Sequence, residues 1–214
     1  MSAQLPLHPI PKDKRAPLLA AAVQEFAALG YMSASTNRIV EAAHISKGLL
    51  FHYFGDKKGL YLYSVQTCIA ELMRRFDERL GPTTSPDVFE RLKQYTLAKW
   101  SLVEEDPSAF EFLQEAMLDP PAELREALAT CTAEPVAAAY QRLFDGIDTT
   151  RFRPGVTVEQ AMRLLSWTLD GLAKQYAGLL RQRPLDLDRI RGLITADIDL
   201  YMDLLRRSIE TGPA

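Results

Sequence analysis

The chain has 214 residues, of which 47% are hydrophobic and 25% are charged. This supply of apolar residues is enough for one sizeable core or for a small domain packed on a larger one, and no stretch approaches the roughly 20 uninterrupted apolar residues that span a bilayer. Cys68 and Cys131 do not form a disulfide framework, and no Cys/His spacing indicates zinc. We therefore expect a soluble, cytoplasmic protein without a metal or cofactor.

The charge is distributed unevenly along the chain. The net charge is −3, but residues 1–60 carry seven Lys or Arg against four acidic residues. The remainder is acidic. A polyanion would therefore be attracted to the N-terminal part and repelled by the rest.

The N-terminal part is predicted to be an arm followed by four helices. Residues 1–11 are rich in proline and lack the apolar segment of a signal peptide, so they are predicted to be a flexible arm. Apolar residues then recur with helical periodicity. Gly30 is expected to end the first helix, and Asp56 is expected to cap the start of the fourth. The predicted helices are 12–29, 36–43, 47–53 and 57–80.

Three dipeptides downstream place a capping side chain before a proline, a pattern typical of helix starts. They are Ser85-Pro86, Asp106-Pro107 and Asp119-Pro120. Pro135 is expected to kink or split the helix that contains it. The predicted helices are 86–105, 107–118, 120–145, 157–182 and 186–210. The sequence thus predicts an all-α fold of about nine helices.

The segment 36–54 has the spacing of a helix-turn-helix. Ile39, Val40 and Ala43 can face inward from the first helix, and Leu50 and Phe54 can do so from the second. Ser46 is placed to cap the second helix, and Ile45 can fill the space between the two. Spacing alone is equally compatible with an ordinary αα-hairpin.

The residues of this segment resemble the motif of the TetR family of bacterial regulators. The matching positions are Thr36, Ile39, Ala43, Ile45, Ser46, Gly48, Leu50, Tyr53, Phe54, Lys57 and Leu60. The resemblance implies a DNA-binding head of three helices over 12–58. It also implies a helical-bundle body over 59–214 that binds a ligand and forms a dimer.

Two residues depart from the family motif. His44 replaces the usual glycine of the turn, where a left-handed backbone is expected; histidine tolerates that conformation better than most residues. Phe51 replaces a tyrosine whose hydroxyl contacts a phosphate in the family. We therefore expect one phosphate contact to be missing.

The resemblance assigns roles in binding double-stranded operator DNA. Thr36 and Lys57 are expected to contact phosphates, while the start of the recognition helix at 47–49 and His52 face base edges. Arg38 is equally compatible with a phosphate contact and with a solvated charge. The candidate DNA-binding residues are Thr36, Asn37, Arg38, Lys47, Gly48, Leu49, Phe51, His52, Tyr53 and Lys57.

The last two predicted helices, 157–182 and 186–210, are apolar on more than one side. This pattern favours a two-fold interface between copies of the chain, which would place two heads on a palindromic operator. Burial within one monomer is the alternative.

Aromatic residues of the middle helices are more typical of a core than of a cavity. The resemblance nevertheless implies a site for a small-molecule effector among these helices, of largely apolar character. The candidate ligand-binding residues are Trp100, Phe110, Gln114, Tyr140, Trp167, Gln175 and Tyr176.

Two functional hypotheses follow. The favoured one is a homodimeric repressor that a ligand releases from its operator; activation would depend on the position of the operator. The alternative is a helical small-molecule binding protein or an enzyme that does not bind DNA. Against an enzyme, the sequence has no phosphate loop, nucleophile motif or metal spacing, and the acidic run 104–106 is predicted to be solvated.

Overall fold

The computed structural model describes residues 6–81, 85–118, 120–180 and 186–212. Those ranges contain nine helices, which confirms the all-α prediction, and none of these helices has the length and apolar character needed to cross a membrane. The helices are α1 Lys12–Ser33, α2 Thr36–Ala42, α3 Lys47–Phe54, α4 Lys57–Leu80, α5 Val88–Glu105, α6 Pro107–Leu118, α7 Arg125–Phe144, α8 Val158–Leu180 and α9 Leu187–Ile209.

Side-chain caps set several of these boundaries. Ser46 Oγ accepts a hydrogen bond from Leu49 N at 3.2 Å, and Asp56 Oδ1 accepts one from Gly59 N at 2.7 Å, as predicted. The predicted cap at Ser85 is wrong. Asp87 performs that role instead, because its Oδ1 accepts from Phe89 N and Glu90 N at 2.9 and 3.1 Å.

Prolines affect α7 differently from the prediction. The helix begins at Arg125 rather than at Pro120, because a residue that precedes a proline, as Pro120 does, is disfavoured in helical geometry. The predicted cap Asp119 lies outside the described residues. The helix continues through Pro135 without being split, because the loss of one backbone hydrogen bond does not end an alanine-rich helix of high propensity.

The helices form two compact units, which do not coincide with the division predicted between residues 58 and 59. The first comprises Met1–Glu78 with Glu105–Ala139, and the second comprises Arg79–Glu104 with Tyr140–Ala214. Helix α6 therefore packs with the N-terminal helices, although we expected it in the body. The functional division into head and body stays a prediction.

An aromatic cluster holds α1, α4 and α6 together in the first unit. Phe26 and Phe112 have ring centroids 5.9 Å apart, and Tyr61 lies edge-on to them at 4.8 and 5.3 Å. All three side chains are buried. Offset and edge-to-face aromatic pairs add about 0.5–1.5 kcal/mol each to the burial of their apolar surface, so α6 is an integral part of this core.

Helices α8 and α9 pack on each other in the second unit. Polar contacts join α9 to α5: Arg206 binds the carboxylate of Asp87 at 2.6 and 3.0 Å, and Arg191 Nε donates to Glu104 Oε1 at 2.8 Å. The prediction that the acidic run 104–106 is solvated is therefore wrong for Glu104. Glu105 forms an ion pair with Arg75, and Asp106 caps α6 through Ala109 N at 3.0 Å.

Gly30 is required where the helical backbone of α1 is interrupted. Its φ is +69°, and a Cβ at this position would lie 2.6 Å from Glu115 Oε1. We expect Gly30→Ala to lower the free energy of unfolding by more than about 1 kcal/mol, since alanine disfavours positive φ. Urea unfolding at fixed protein concentration measures this.

Gly192 provides a matched control, because it lies inside α9 and a Cβ there would meet no atom within 4 Å in the part of the chain that the structure describes. Gly192→Ala is expected to be neutral or to stabilise by up to about 1 kcal/mol. Equal effects of the two substitutions would contradict the assignment of strain to position 30.

Candidate nucleic-acid interface

A left-handed residue forms the turn between α2 and α3. His44 has φ +52°, so it adopts the conformation expected of the glycine that it replaces. The turn is closed by Ile45 N, which donates to Val40 O at 3.0 Å, and Ala43 is buried beside it. Because Ala43 is small, the two helices approach closely. The helix-turn-helix spacing predicted for 36–54 is thus present.

Helix α3 has one buried side and one exposed side. Leu50 and Phe54 are buried in the core of the first unit, as predicted, together with Ile39 and Val40 of α2. Lys47, Gly48 and His52 are exposed, while Leu49 and Phe51 are half-buried. The exposed side of α3, comprising Lys47, Gly48, Leu49, Phe51 and His52, is called the recognition face below.

The recognition face carries a positive charge at Lys47 and leaves the helix backbone accessible at Gly48. The Nζ of Lys47 lies 5.9 Å from the centroid of the Phe51 ring, so it packs over the ring that lacks the tyrosine hydroxyl. A Cβ added at Gly48 would meet no atom of the described residues within 4 Å. Since Gly48 has no side chain, another molecule can approach the helix backbone closely at this point.

Tyr53 does not belong to the recognition face. Its side chain is only 4% exposed, and its ring packs edge-on against Phe54 with centroids 6.3 Å apart. Tyr53 is among the candidate DNA-binding residues, but its ring is covered within the first unit. The Tyr53 ring therefore contributes to the core of the first unit rather than to the recognition face.

Lys57 is held at the start of α4 by the end of α1. Its Nζ donates to Met32 O at 3.1 Å and lies 5.0 Å from the centroid of the Tyr31 ring. An ammonium group has three donors, so this bond leaves protons for an external acceptor. Thr36 is half-buried and Asn37 is exposed, both in the first turn of α2.

Arg38 is neither a free cation nor a simple solvated charge. Its guanidinium forms an ion pair with Glu25 of α1, with Nε and Nη2 at 2.8 and 2.6 Å from Oε1. This pairing weakens the prediction of a phosphate contact, because DNA would have to compete with the carboxylate.

Glu25 is a structural residue that the sequence patterns did not reveal. Its Oε1 also accepts a hydrogen bond from Ser35 N at 2.7 Å, so it caps α2 from another helix. The hydroxyl of Ser35 itself makes no capping hydrogen bond. The hydrogen bond from Arg38 is the largest cause that lowers the pKa of Glu25 below its ordinary value of 4.5.

The candidate ligand-binding residues are divided between the two units. Phe110 and Gln114 are half-buried in the first unit, and the side chain of Tyr140 lies outside the described residues. In the second unit Trp100 is buried, and its indole N–H donates to Glu104 Oε1 at 3.0 Å. The structure therefore does not gather the predicted set within one unit.

Helix α8 carries the remaining three ligand candidates in different environments. Tyr176 is buried, and its hydroxyl donates to Asp197 Oδ2 at 2.6 Å, while Gln175 Nε2 donates to the same oxygen at 3.4 Å. Burial and this carboxylate raise the pKa of Tyr176. Trp167 is 65% exposed in the single chain, so it does not lie in the interior of the second unit, and its role in ligand binding stays a prediction.

We predict that Glu25→Gln lowers the free energy of unfolding near neutral pH by about 1 kcal/mol, through weaker capping and loss of the ion pair. Because the folded protein lowers the pKa of Glu25, this contribution is present above the ordinary value of 4.5 and is lost as the pH falls through the folded value. Urea unfolding between pH 7 and pH 3, at fixed protein concentration, measures the difference.

Glu41→Gln is the matched control, since Glu41 is exposed on α2. It should leave the free energy of unfolding nearly unchanged over the same range. A difference between wild type and Glu25→Gln that does not shrink on acidification would contradict the role of the ionised carboxylate.

Comparison with known proteins agrees with this geometry. Residues 18–63, which span most of α1 and all of α2 and α3, match the family described as bacterial regulatory proteins, tetR family. The chain is 28% identical over 174 residues to the HTH-type transcriptional repressor AcnR of Corynebacterium efficiens, covering 78% of this chain and 84% of that protein.

Solved structures share the fold over nearly the whole chain. A TetR family transcriptional regulator from Chloroflexus aurantiacus is 26% identical, with a TM-score of 0.67 and coverage of 94% of this chain and 95% of that one. The transcriptional regulator FadR from Bacillus subtilis in complex with stearoyl-CoA is 18% identical, with a TM-score of 0.66 and coverage of 90% and 97%. The matched family and these proteins are regulators of transcription, and the chain is similar to the tetR family in residues 18–63 and to its solved members in fold.

Proposed function

We propose that the protein is a homodimeric, ligand-responsive repressor that acts in the cytoplasm and binds a palindromic operator. The observation that carries this proposal is the recognition face of α3, which is exposed, bears Lys47 and is open at Gly48. A helix presented in this way fits the major groove of B-DNA, which is wide enough to admit it.

Direct contacts to DNA are proposed for six residues. Lys47 donates to guanine acceptors, Leu49 contacts a thymine methyl group, and His52 lies farther along the same side of the helix. Thr36 and Asn37 present the first turn of α2 to the phosphate backbone. The protons of Lys57 that do not bind Met32 O are available to a phosphate.

Dimerisation is proposed through the exposed apolar sides of α8 and α9. One side of each helix is buried, whereas the large apolar residues of the other side remain exposed in the single chain. A second copy would cover them in a four-helix interface of two-fold symmetry. The exposed residues are Val158, Leu164, Trp167, Leu193, Leu200, Tyr201 and Leu204.

An effector site is proposed in the second unit, beside Trp100 and Tyr176. Their polar atoms are bound to acidic side chains, Glu104 and Asp197, while their rings supply apolar surface. FadR, which shares the fold, has been solved with an acyl-CoA bound. By analogy, we expect a small and largely apolar effector that weakens operator binding.

We predict that the purified protein binds a labelled duplex from upstream of its own gene, with an affinity that falls steeply as salt rises. Lys47→Ala should weaken binding about 5- to 100-fold, through loss of a base contact. Lys57→Ala should reduce the salt slope by about one counterion per head. Fluorescence anisotropy from 50 to 300 mM salt measures both.

Lys93→Ala is the control for this experiment, because Lys93 is a partly exposed cation of the second unit that pairs with Asp199. It should leave affinity and slope unchanged. If Lys47→Ala and Lys57→Ala bind as the wild type does, the recognition face is not the DNA-binding surface.

We predict that Trp167→Glu raises the dimer dissociation constant at least 10-fold, as expected for a large aromatic side chain central to an interface. Leu200→Glu on α9 should act in the same direction. Sedimentation velocity over a range of protein concentrations measures the effect. Met117→Glu, which changes an exposed apolar residue of α6, should sediment as the wild type; unchanged sedimentation of all three variants would contradict the interface.

A further inference from the structure

The described part of the N-terminal arm is attached to the recognition helix. Residues 6–11 were predicted to be flexible, but Leu7 N donates a hydrogen bond of 2.7 Å to Tyr53 O in the last turn of α3. Carbonyl groups in the last turn of a helix have no partner within that helix. The arm thus satisfies one of them and fixes its own position on α3.

The next residue of the arm stacks on the recognition face. The rings of His8 and His52 are parallel within 2°, and their centroids are 3.9 Å apart. Both residues are otherwise exposed. The hydrogen bond at Leu7 immediately precedes this stack, and Pro9 immediately follows it, so the backbone of the arm is restrained on both sides of His8.

A stacked partner matters because an exposed histidine side chain otherwise samples several rotamers. A residue that reads a base edge must hold its donor and acceptor in one orientation, and the entropy of ordering it weakens binding. Stacking on His8 restricts the His52 ring before any ligand arrives.

We propose that His8 is a positioning residue for DNA recognition: it orients the His52 ring on α3, so that a residue of the arm, outside the helix-turn-helix, contributes to recognition through the recognition face. The proposal rests on the proposed function, because it requires His52 to face DNA. The ring of His8 acts through His52 rather than by hydrogen-bonding to DNA itself.

The stack can be tested without DNA, because the chain has only three histidines, His8, His44 and His52. In NMR spectra of the full chain, His8→Ala should shift the ring C–H resonances of His52, since it removes the neighbouring ring current. The resonances of His44 should not move and serve as the internal control. Unchanged His52 resonances would overturn the proposal.

The role in recognition is tested with the labelled upstream duplex at constant salt. His8→Ala should weaken binding about 3- to 10-fold, as expected for the loss of one aromatic pair. His8→Phe should bind within about 2-fold of the wild type, because phenylalanine preserves a stacking ring without ring nitrogens. In a His52→Ala background, His8→Ala should have little further effect.

Competition with duplexes that carry single base-pair changes separates positioning from general stability. His8→Ala and His52→Ala should relax the preference at the same base pairs, a change that a uniform loss of folded protein cannot produce. Equal weakening by His8→Ala and His8→Phe, or additive effects of the two alanine substitutions, would overturn the proposal. If the wild type does not bind DNA, the proposed function and the role of His8 in recognition both fail, even where NMR shows the stack.

Discussion

The backbone turn at His44 is the constraint on which the recognition face of α3 depends. A positive φ at a residue with a side chain costs about 1 kcal/mol. The burial of Leu50 and Phe54, which this turn permits, offsets that cost. The hydrogen bond from Ile45 N to Val40 O closes the turn. Once the turn has set the direction of α3, Leu50 and Phe54 are buried, and the opposite side of the helix remains exposed.

The surroundings of the helix-turn-helix stabilise this arrangement from outside the motif. Glu25 of α1 caps α2 and pairs with Arg38, while the ammonium of Lys57 binds the carbonyl of Met32. Two of the cationic candidates are therefore partly used inside the protein. Lys47, packed over Phe51, is the cation that the recognition face presents directly. A net charge of −3 is compatible with DNA binding. The attraction to phosphates depends on the local charge of the surface that meets them, rather than on the charge of the whole chain.

The sequence alone was sufficient to predict those features that depend on interactions between residues close to each other in the chain. The caps at Ser46 and Asp56 and the inward positions Ile39 and Leu50 follow from spacing within one or two helical turns. Features set by distant residues could not be found in this way. Glu25 lies ten residues before the amide that it caps, and no local pattern links the two.

Packing partners explain the other differences between expectation and structure. Helical periodicity shows which residues share one side of a helix, but it does not show which neighbours cover that side. Periodicity therefore could not predict that Tyr53 is buried and that Trp167 is exposed. In the same way, the aromatic residues of the middle helices indicated a core, but only the contacts of Phe112 with Phe26 and Tyr61 assign α6 to the first unit. The exposure of Trp167 in turn favours a protein interface over an interior cavity.

Selection from a random pool of DNA by the purified wild-type protein tests the central claim most directly. A dimer that presents two recognition faces should enrich one inverted repeat, with half-sites about one helical turn or a multiple of it apart. Lys47→Ala should lose the preference at defined positions in each half-site. Recovery of a pool indistinguishable from the input would contradict the account, because contacts with base edges necessarily give a sequence preference.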